Sequence, residues 1–270
     1  MLVRLGALAI LLIGAPAAWA GEISLKGEYS QGGLVIGSAP PGAAVTLDGK
    51  SQPATSDGTF LLGFSRDSAR RRVLEVRLNG ASIFKRDLEI KKRAYDVQRI
   101  DGLPRRKVTP SPADLKRIKA EAAALGAARA RLSNASFFRS GFAWPALGRI
   151  SGIYGSRRIL NGKPRRPHFG VDVAAPEGTP VRAAAAGRIA FAHAGMFFNG
   201  KTVIIDHGLG LTSAYLHMSA ITVESGATVD KGAIIGRIGK TGRATGAHLH
   251  WGMRLRATPV DPQLLVPPML

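Results

Sequence analysis

Residues 21 to about 100 alternate short apolar and polar runs with turn signals between them. Val73–Leu78 alternates apolar and polar positions from Leu74 onward and leads into Asn79-Gly80, a dipeptide typical of a two-residue β-hairpin turn. Leu34–Ile36 and Phe60–Leu62 are further apolar runs in the same segment. The pattern predicts six or seven short strands. We expect an immunoglobulin-like β-sandwich over residues 21–100 that serves as an accessory domain.

The hydrophobic period changes in the next segment, residues 101–135, which we interpret as a linker. Ser111 precedes Pro112 and stands three residues before Asp114, a combination typical of a helix N-terminus. The apolar residues that follow recur at helical spacing, at Leu115, Ile118, Ala122 and Leu125. This predicts one amphipathic helix that ends near Leu132 and packs its apolar stripe on one of the two domains.

Strand patterns return in residues 136–270, now with many glycines. Thr202–Asp206 and Ser213–His217 are apolar-rich runs, and the residues between them, Gly208–Thr212, predict a tight hairpin. The spacing of these runs is typical of an antiparallel sheet. The fold class predicted for the whole chain is therefore mainly β: an accessory sandwich, one linker helix and a C-terminal antiparallel domain.

The first twenty residues carry an early positive charge, an apolar run from Leu5 to Ile13, and Ala18-Trp19-Ala20. This pattern is typical of a secretory signal peptide, so we expect residues 1–20 to be removed. The apolar run is shorter than the roughly 20 residues that a spanning helix needs. The chain has no cysteine, which leaves no lipobox for lipid attachment. An exported protein is expected, in the periplasm of a two-membrane bacterium or outside the cell.

The chain is strongly basic, with a formal net charge of +20. Basic residues cluster from Lys85 to Lys107 and again from Arg157 to Arg166. A basic surface favours polyanions, but the chain has no nucleic-acid-binding motif and only 6% aromatic residues for base stacking. We therefore expect no nucleic-acid partner and an electrostatic association with the anionic cell envelope.

Candidate chemistry is concentrated in three short stretches of the C-terminal domain. Four of the six histidines lie in His168-Phe-Gly-Val-Asp172, at His217, and in His248-Leu-His250. On a strand, positions i and i+2 or i and i+4 face the same side, so each pair is expected on one surface. Two histidines and a carboxylate match a catalytic zinc site, which leaves a fourth position open. A chain without cysteine has no thiolates for a structural zinc site.

Residues 144–262 resemble the lysostaphin-type zinc endopeptidases of bacteria, which cut the peptide cross-bridges of peptidoglycan. The matching pieces cover a little under half of the chain and follow the order of the family. They are Trp144-Pro145, Gly155-Ser-Arg157, His168–Pro176, Gly178–Val181, Ala186-Gly187, Val203–Gly208, Tyr215–His217, Lys231-Gly232, Ile235-Gly236, Thr241-Gly242, Thr245-Gly246 and His248–Trp251.

The resemblance implies that His168, Asp172 and His250 bind one zinc ion per chain, and that His217 and His248 are the catalytic pair. Which of the two histidines takes the proton stays open. The implied function is hydrolysis of stem peptides or cross-links of peptidoglycan by a secreted monomer. Whether the bond joins D-alanine to a diamino acid or lies in a glycine bridge also stays open. The alternative is a non-catalytic activator of another cell-wall hydrolase.

The accessory domain and linker contain no predicted zinc ligand, so their role needs a separate hypothesis. Upstream segments in relatives of the family can lie across the groove and keep the enzyme latent. We hypothesise the same here, with Asn134 or Asn161 reaching the open zinc position. The alternative is a domain that only tethers the enzyme to the cell wall.

Overall fold

A computed structural model of the chain describes residues 22–130 and 133–269. The predicted signal peptide, residues 1–20, lies outside these ranges. Within them, no helix is long and apolar enough to cross a membrane. The fold is mainly β, as the sequence predicts, with two packed β units joined by a linker that contains two helices.

The first unit has seven strands in two antiparallel sheets. They are β1 (Ser24–Gly27), β2 (Leu34–Ser38), β3 (Ala44–Leu47), β4 (Lys50–Gln52), β5 (Thr59–Gly63), β6 (Arg71–Leu78) and β7 (Ala81–Glu89). One sheet has the order β1-β2-β5 and the other β4-β3-β6-β7. Asn79 and Gly80 join β6 to β7 with positive φ angles, as a tight hairpin turn requires. The sheets enclose Phe60, Leu62 and Leu74. The immunoglobulin-like likeness of this unit stays a prediction.

The segment between β7 and the second unit, residues 92–135, is called the linker from here on, and it begins earlier than the predicted linker of residues 101–135. Its described residues contain a strand and two helices. They are β8 (Val97–Ile100), α1 (Arg105–Val108) and α2 (Pro112–Ala130). Helix α2 begins where predicted, and its first turn is capped reciprocally. The backbone N–H of Asp114 donates to Ser111 Oγ (3.2 Å), and Ser111 Oγ donates to Asp114 Oδ2 (2.9 Å).

The apolar stripe predicted for α2 does not pack into a core, so that prediction is wrong. Asp114 is the one residue of Pro112–Ala130 that is buried, and Leu115 is 54% exposed. Because alanine dominates the helix, it has few large side chains to bury. Polar contacts attach it to the second unit instead: Arg117 Nη2 donates to Gly195 O (2.7 Å), and the backbone N–H of Phe197 donates to Glu121 Oε2 (2.7 Å).

The second unit contains thirteen strands and two short 3₁₀ turns. The strands are β9 (Arg149–Gly152), β10 (Arg157–Leu160), β11 (Lys163–Arg165), β12 (Val171–Ala174), β13 (Pro180–Arg182), β14 (Gly187–Met196), β15 (Gly200–Gly208), β16 (Leu211–Met218), β17 (Ala220–Ile221), β18 (Thr228–Val229), β19 (Ile234–Arg237), β20 (His248–Leu255) and β21 (Thr258–Val260). The 3₁₀ turns are Phe137–Ser140 and Pro262–Leu265.

A central antiparallel sheet organises this unit, in the order β18-β14-β15-β16-β20-β12-β9, with β21 added on β20. The predicted hairpin joins β15 to β16 through Leu209 and Gly210, both with positive φ. A smaller sheet, β13-β19-β17, packs beside it. A third sheet has the order β11-β10-β8. Strand β8 therefore belongs to a sheet of the second unit, although the sequence analysis placed it in the accessory domain.

The two units share part of one hydrophobic core. Leu34 and Leu61 of the first unit belong to the same buried cluster as Trp251 and Leu255 of the second. A Cβ added at Gly63 would come within 3.2 Å of Leu255, so the two backbones approach closely there. The first unit is thus docked on the back of strand β20, whose opening residues are His248 and His250.

Candidate metal centre and catalytic groove

Three side chains converge on one point at the surface of the central sheet. His168 Nε2 lies 2.8 Å from His250 Nδ1 and 3.0 Å from Asp172 Oδ1, and His250 Nδ1 lies 2.9 Å from Asp172 Oδ1. Two imidazole nitrogens and one carboxylate oxygen form a donor set that suits Zn²⁺. Tetrahedral bonds of about 2.0–2.1 Å would separate such donors by roughly 3.3 Å, so small adjustments would admit the ion.

Strand pairing brings Asp172 and His250 together. They are direct cross-strand partners in the antiparallel β12–β20 ladder, where facing Cβ atoms lie about 5 Å apart. His168, in contrast, lies in the loop before β12, so the expectation that it shares a strand with Asp172 is wrong. Two backbone bonds hold that loop: His168 N–H donates to Ser156 O (2.9 Å), and Gly155 N–H donates to His168 O (2.7 Å).

Two glycines leave space for the donor side chains. A Cβ at Gly170 would come within 2.7 Å of the His250 ring and 2.5 Å of Trp251 O. A Cβ at Gly152 would lie 2.5 Å from Asp172 Oδ2. Any larger residue at either position would displace a donor, which gives a physical reason for the glycine in His168-Phe-Gly-Val-Asp172.

A second layer of contacts orients the three donors. The Nδ1 of His168 lies 3.0 Å from Ile153 O; a proton shared there leaves Nε2 free to bind an ion. Arg158 Nη2 donates to the second carboxylate oxygen of Asp172 (2.5 Å). Arg158 Nε donates in turn to Gln98 Oε1 (3.2 Å) on strand β8. Arg158 and Gln98 are not among the predicted site residues, because the basic run Arg157-Arg158 is their only signal in the sequence and such a run is typical of a charged surface.

Opposing effects act on the pKa of Asp172. Burial raises it, but hydrogen bonds from His168 and His250, together with their positive charge when protonated, outweigh burial and hold the pKa well below its usual range. Asp172 is therefore an anion at neutral pH. A carboxylate must be in this anionic form to bind a dication.

His217 lies at the end of strand β16, with its ring 6.3 Å from that of His250. Its φ angle of 65° is unusual for a residue other than glycine and carries strain. Nδ1 lies 2.8 Å from Thr241 O, which positions a donated proton there and leaves Nε2 as an acceptor. Burial, and then the charges of His248 and His250, lower the pKa of His217 to about 3, so it is neutral at pH 7.

His248 faces the same groove from the start of strand β20. Its ring centroid lies 4.8 Å from that of His217. Its Nδ1 lies 2.9 Å from Gly246 O, and its Nε2 lies 4.0 Å from Asp172 Oδ1. Both histidines thus have Nδ1 held by a backbone carbonyl, and both rings lie beside the donor group. The structure brings all five predicted site residues together.

The remaining two histidines lie apart from this group. His207 is fully buried between Ala186 O and Ser213 Oγ, each 2.7 Å from a ring nitrogen. Burial lowers the pKa of His207 to about 4. His193 stacks on Phe191 at 5.7 Å and accepts the N–H of Gly195. Neither contacts the donor group.

The two asparagines proposed to block the open position are engaged elsewhere. Asn161 accepts the N–H of Leu103 (3.2 Å) and donates to Leu103 O (2.7 Å). Asn134 is exposed and lines a cavity with strands β3 and β4 of the first unit. The expectation that either reaches the metal position is wrong. Linker residues do border the groove, however: Val108, Pro110, Leu115 and Ile118 line the cavity of about 750 Å³ that contains His168, His217 and His250.

Comparisons with known proteins agree with this geometry. The profile described as Peptidase family M23 matches residues 166–262. A crystal structure of a Pseudomonas aeruginosa protein that carries the name peptidase M23 superposes with a TM-score of 0.68 at 30% identity, covering 88% of this chain and 95% of that one. The chain belongs to peptidase family M23, the lysostaphin type. The M23 match includes all five site residues.

Two curated relatives of the chain carry names of different kinds, one of an enzyme and one of a lipoprotein. The DD-carboxypeptidase/endopeptidase Mpg of Neisseria meningitidis is 44% identical over 115 residues, which are 42% of this chain and 26% of Mpg. The lipoprotein NlpD/LppB homolog of Pseudomonas aeruginosa is 36% identical over 127 residues, which are 47% of this chain and 40% of that protein. The chain thus spans about a quarter of the length of the first and less than half of the second.

Proposed function

We propose that this protein is a zinc-dependent endopeptidase that hydrolyses stem peptides or cross-links of bacterial peptidoglycan. The observation that carries the proposal is that a complete donor set and two further histidines, His217 and His248, line one groove. His168, Asp172 and His250 are proposed to bind one Zn²⁺, and His217 and His248 to transfer protons. Relatives named as an endopeptidase and as a lipoprotein support an exported enzyme, which we place in the periplasm.

The residues present fit the proposed ion. The donor set is two nitrogens and one oxygen, and its three atoms already lie 2.8–3.0 Å apart. A bound Zn²⁺ would polarise the scissile carbonyl and lower the pKa of a bound water from about 16 toward about 7. Arg158 keeps one oxygen of Asp172 engaged, which leaves the other as the single donor.

The protein's own groups handle the proton. In the proposed reaction, Nε2 of His217 or His248 accepts the proton that the attacking water loses, and the same proton later passes to the leaving amine. The low pKa of His217 keeps it unprotonated before the reaction. Once protonated, a histidine pair also stabilises the negative charge that develops on the carbonyl oxygen. The two Nδ1 contacts to backbone carbonyls hold both rings in the orientation that this transfer needs.

The test is digestion of purified peptidoglycan, followed by mass spectrometry of the soluble muropeptides. We expect peptide bonds to be cleaved, with activity lost in chelator and restored by Zn²⁺. His168→Ala, Asp172→Ala and His250→Ala should lose both stoichiometric zinc and activity while the far-ultraviolet circular dichroism is unchanged. A zinc-loaded wild-type protein that cleaves nothing but stimulates a second wall hydrolase would overturn the proposal and support the activator alternative.

A further inference from the structure

An excess of arginine surrounds the proposed reaction centre. The cavity of about 750 Å³ that contains His168, His217 and His250 is lined by four arginines and by no aspartate or glutamate. A smaller adjoining cavity of about 150 Å³ reaches Asp172 and His248. Arg158 and Arg243 line both. Cationic side chains in a partly enclosed groove concentrate the field and attract anions.

Three of the four arginines, Arg158, Arg165 and Arg166, have protein partners or lie at the rim of the cavity. Arg158 is bound to Asp172 Oδ2 and Gln98 Oε1. Arg165 donates to two backbone carbonyls, Pro164 O (2.8 Å) and Val108 O (2.7 Å), neither of which balances its charge. Arg166 is exposed.

Arg243 is held in place without a carboxylate partner. Its backbone N–H donates to Phe198 O (2.8 Å), and its guanidinium lies 4.4 Å from the centre of the Phe198 ring. Within residues 22–130 and 133–269, no carboxylate oxygen lies within 4 Å of it. Burial, and then the charges of Arg158 and Arg165, lower its pKa to about 10, so it stays charged at neutral pH. Arg243 comes two residues after Thr241, whose carbonyl oxygen orients His217.

We propose that Arg243, supported by Arg165, binds a free carboxylate of the substrate peptide beside the scissile bond. An oriented guanidinium presents a fork of N–H donors that matches a carboxylate. The inference rests on the proposed function and names its substrate class: stem peptides that carry free carboxylates, in preference to an uncharged glycine bridge. An incoming carboxylate would also offset the mutual repulsion of Arg158, Arg165 and Arg243.

The test uses two soluble cross-linked peptides that differ in one group. One carries a free carboxylate on the residue next to the scissile bond, and in the other this carboxylate is amidated. For the zinc-loaded wild type we expect KM to be about 10- to 100-fold lower for the acid than for the amide, the range for one charge-assisted hydrogen bond. Arg243→Gln should bring this ratio close to one, mainly by raising KM for the acid. Arg243→Lys should keep part of it.

Arg149→Gln is the matched control, since Arg149 is an exposed arginine on strand β9 outside both cavities. It should leave the acid-to-amide ratio unchanged. Equal KM values for the two peptides in the wild type would overturn the carboxylate site and leave the endopeptidase proposal intact. So would an equal loss on both substrates in Arg243→Gln.

If the wild type cleaves neither peptide, the proposed function fails, and calorimetric titration of the metal-free protein then decides the binding site by itself. Tighter binding of the acid that Arg243→Gln removes supports the site. Equal binding of acid and amide overturns it.

Discussion

At the scale of single residues, the site depends on which nitrogen of each histidine is engaged by the backbone. His168, His217 and His248 each place Nδ1 within 2.8–3.0 Å of a backbone carbonyl. His250 is the exception, because its Nδ1 faces Asp172 and His168. His250 is thus the proposed ligand that binds through Nδ1. His168, the other histidine ligand, and the catalytic pair His217 and His248 present Nε2. The tautomers therefore follow from local hydrogen bonds.

The proposed catalytic pair should be separable from the zinc ligands. His217→Ala and His248→Ala are expected to retain one zinc per chain but to lose about 100-fold or more in kcat, the scale of a positioned proton-transfer group. Metal analysis and muropeptide turnover measure the two properties on the same samples. His193→Ala is the control, because His193 lies outside the groove. A loss of activity in His193→Ala equal to that in His217→Ala, without unfolding, would show that the roles are wrongly assigned.

His207 should make the metal-free protein sensitive to acid. Burial lowers its pKa to about 4 from 6.5, outweighing its hydrogen bond to Ala186 O. Between pH 6.5 and pH 4 the unfolded chain binds a proton at His207 that the folded protein does not bind. The contribution of His207 to the free energy of unfolding is therefore complete above pH 6.5 and is lost as the pH falls toward 4. His207→Gln keeps hydrogen-bonding groups and should flatten this slope by up to about 1.4 kcal/mol per pH unit. Urea unfolding from pH 4.5 to 7.5 measures it.

His193→Gln provides the control for this experiment and should unfold with the wild-type pH dependence. Identical slopes for His207→Gln and the wild type would mean that His207 does not stay neutral in the folded state. The measurement needs metal-free protein, because a bound ion would add its own pH dependence.

At the scale of elements, the linker strand β8 completes the surroundings of the proposed metal centre. β8 pairs in parallel with β10, with Gln98 opposite Arg158. Gln98 accepts from Arg158 Nε and donates to Ser151 O (3.0 Å), so it connects β8 to both β10 and β9. Arg158 then reaches Asp172 on β12. Four strands therefore fix one carboxylate.

Arg158→Met should weaken zinc binding, since outer partners of metal ligands typically account for 10- to 100-fold in affinity. The substitution keeps the length of the side chain but leaves Asp172 Oδ2 without its donor. Competition with a chelator of known affinity measures the change. Arg157→Met is the matched control, because Arg157 is the exposed neighbour on the same strand. Equal zinc affinity in both variants would exclude a positioning role for Arg158.

At the scale of the whole molecule, the first unit and the linker are integrated with the second unit. Arg93 Nη1 of the linker contacts Asp261 Oδ2 at 2.8 Å, and the Asp261 side chain is 1% exposed. Leu103 and Val108 form a small buried cluster with Leu160. Removing residues 21–135 would expose these surfaces, so point substitutions test the latency hypothesis more cleanly than truncation.

Loosening helix α2 should open the groove that Leu115 and Ile118 border. Arg117→Gln with Glu121→Gln weakens the polar contacts that attach the helix to the second unit. If the linker restrains access, kcat/KM on a soluble peptide should rise several-fold, since each hydrogen bond contributes about 1 kcal/mol. Lys119→Gln, at an exposed position of the same helix, is the control. Equal rates in all three proteins would favour a tethering role.

Local sequence is sufficient for the features that depend on neighbouring residues. The hairpin at Asn79-Gly80, the cap at Ser111 and the common face of His248 and His250 all follow from short-range geometry. The five candidate site residues could be chosen from histidine spacing and family resemblance. No pairing of distant strands was needed to select them.

Contacts between distant segments could not be read from such patterns. The parallel pairing of β8 with β10 joins segments about sixty positions apart, and it brings Gln98 to Arg158, which contacts Asp172. Helix α2 has a helical period, but which face meets another surface depends on the polar contacts of Arg117 and Glu121. The side chain of Asn161 has an oxygen that could bind at the open metal position, yet in the fold it forms hydrogen bonds with Leu103. Strand order and docking set these contacts, because no local preference distinguishes the competing arrangements.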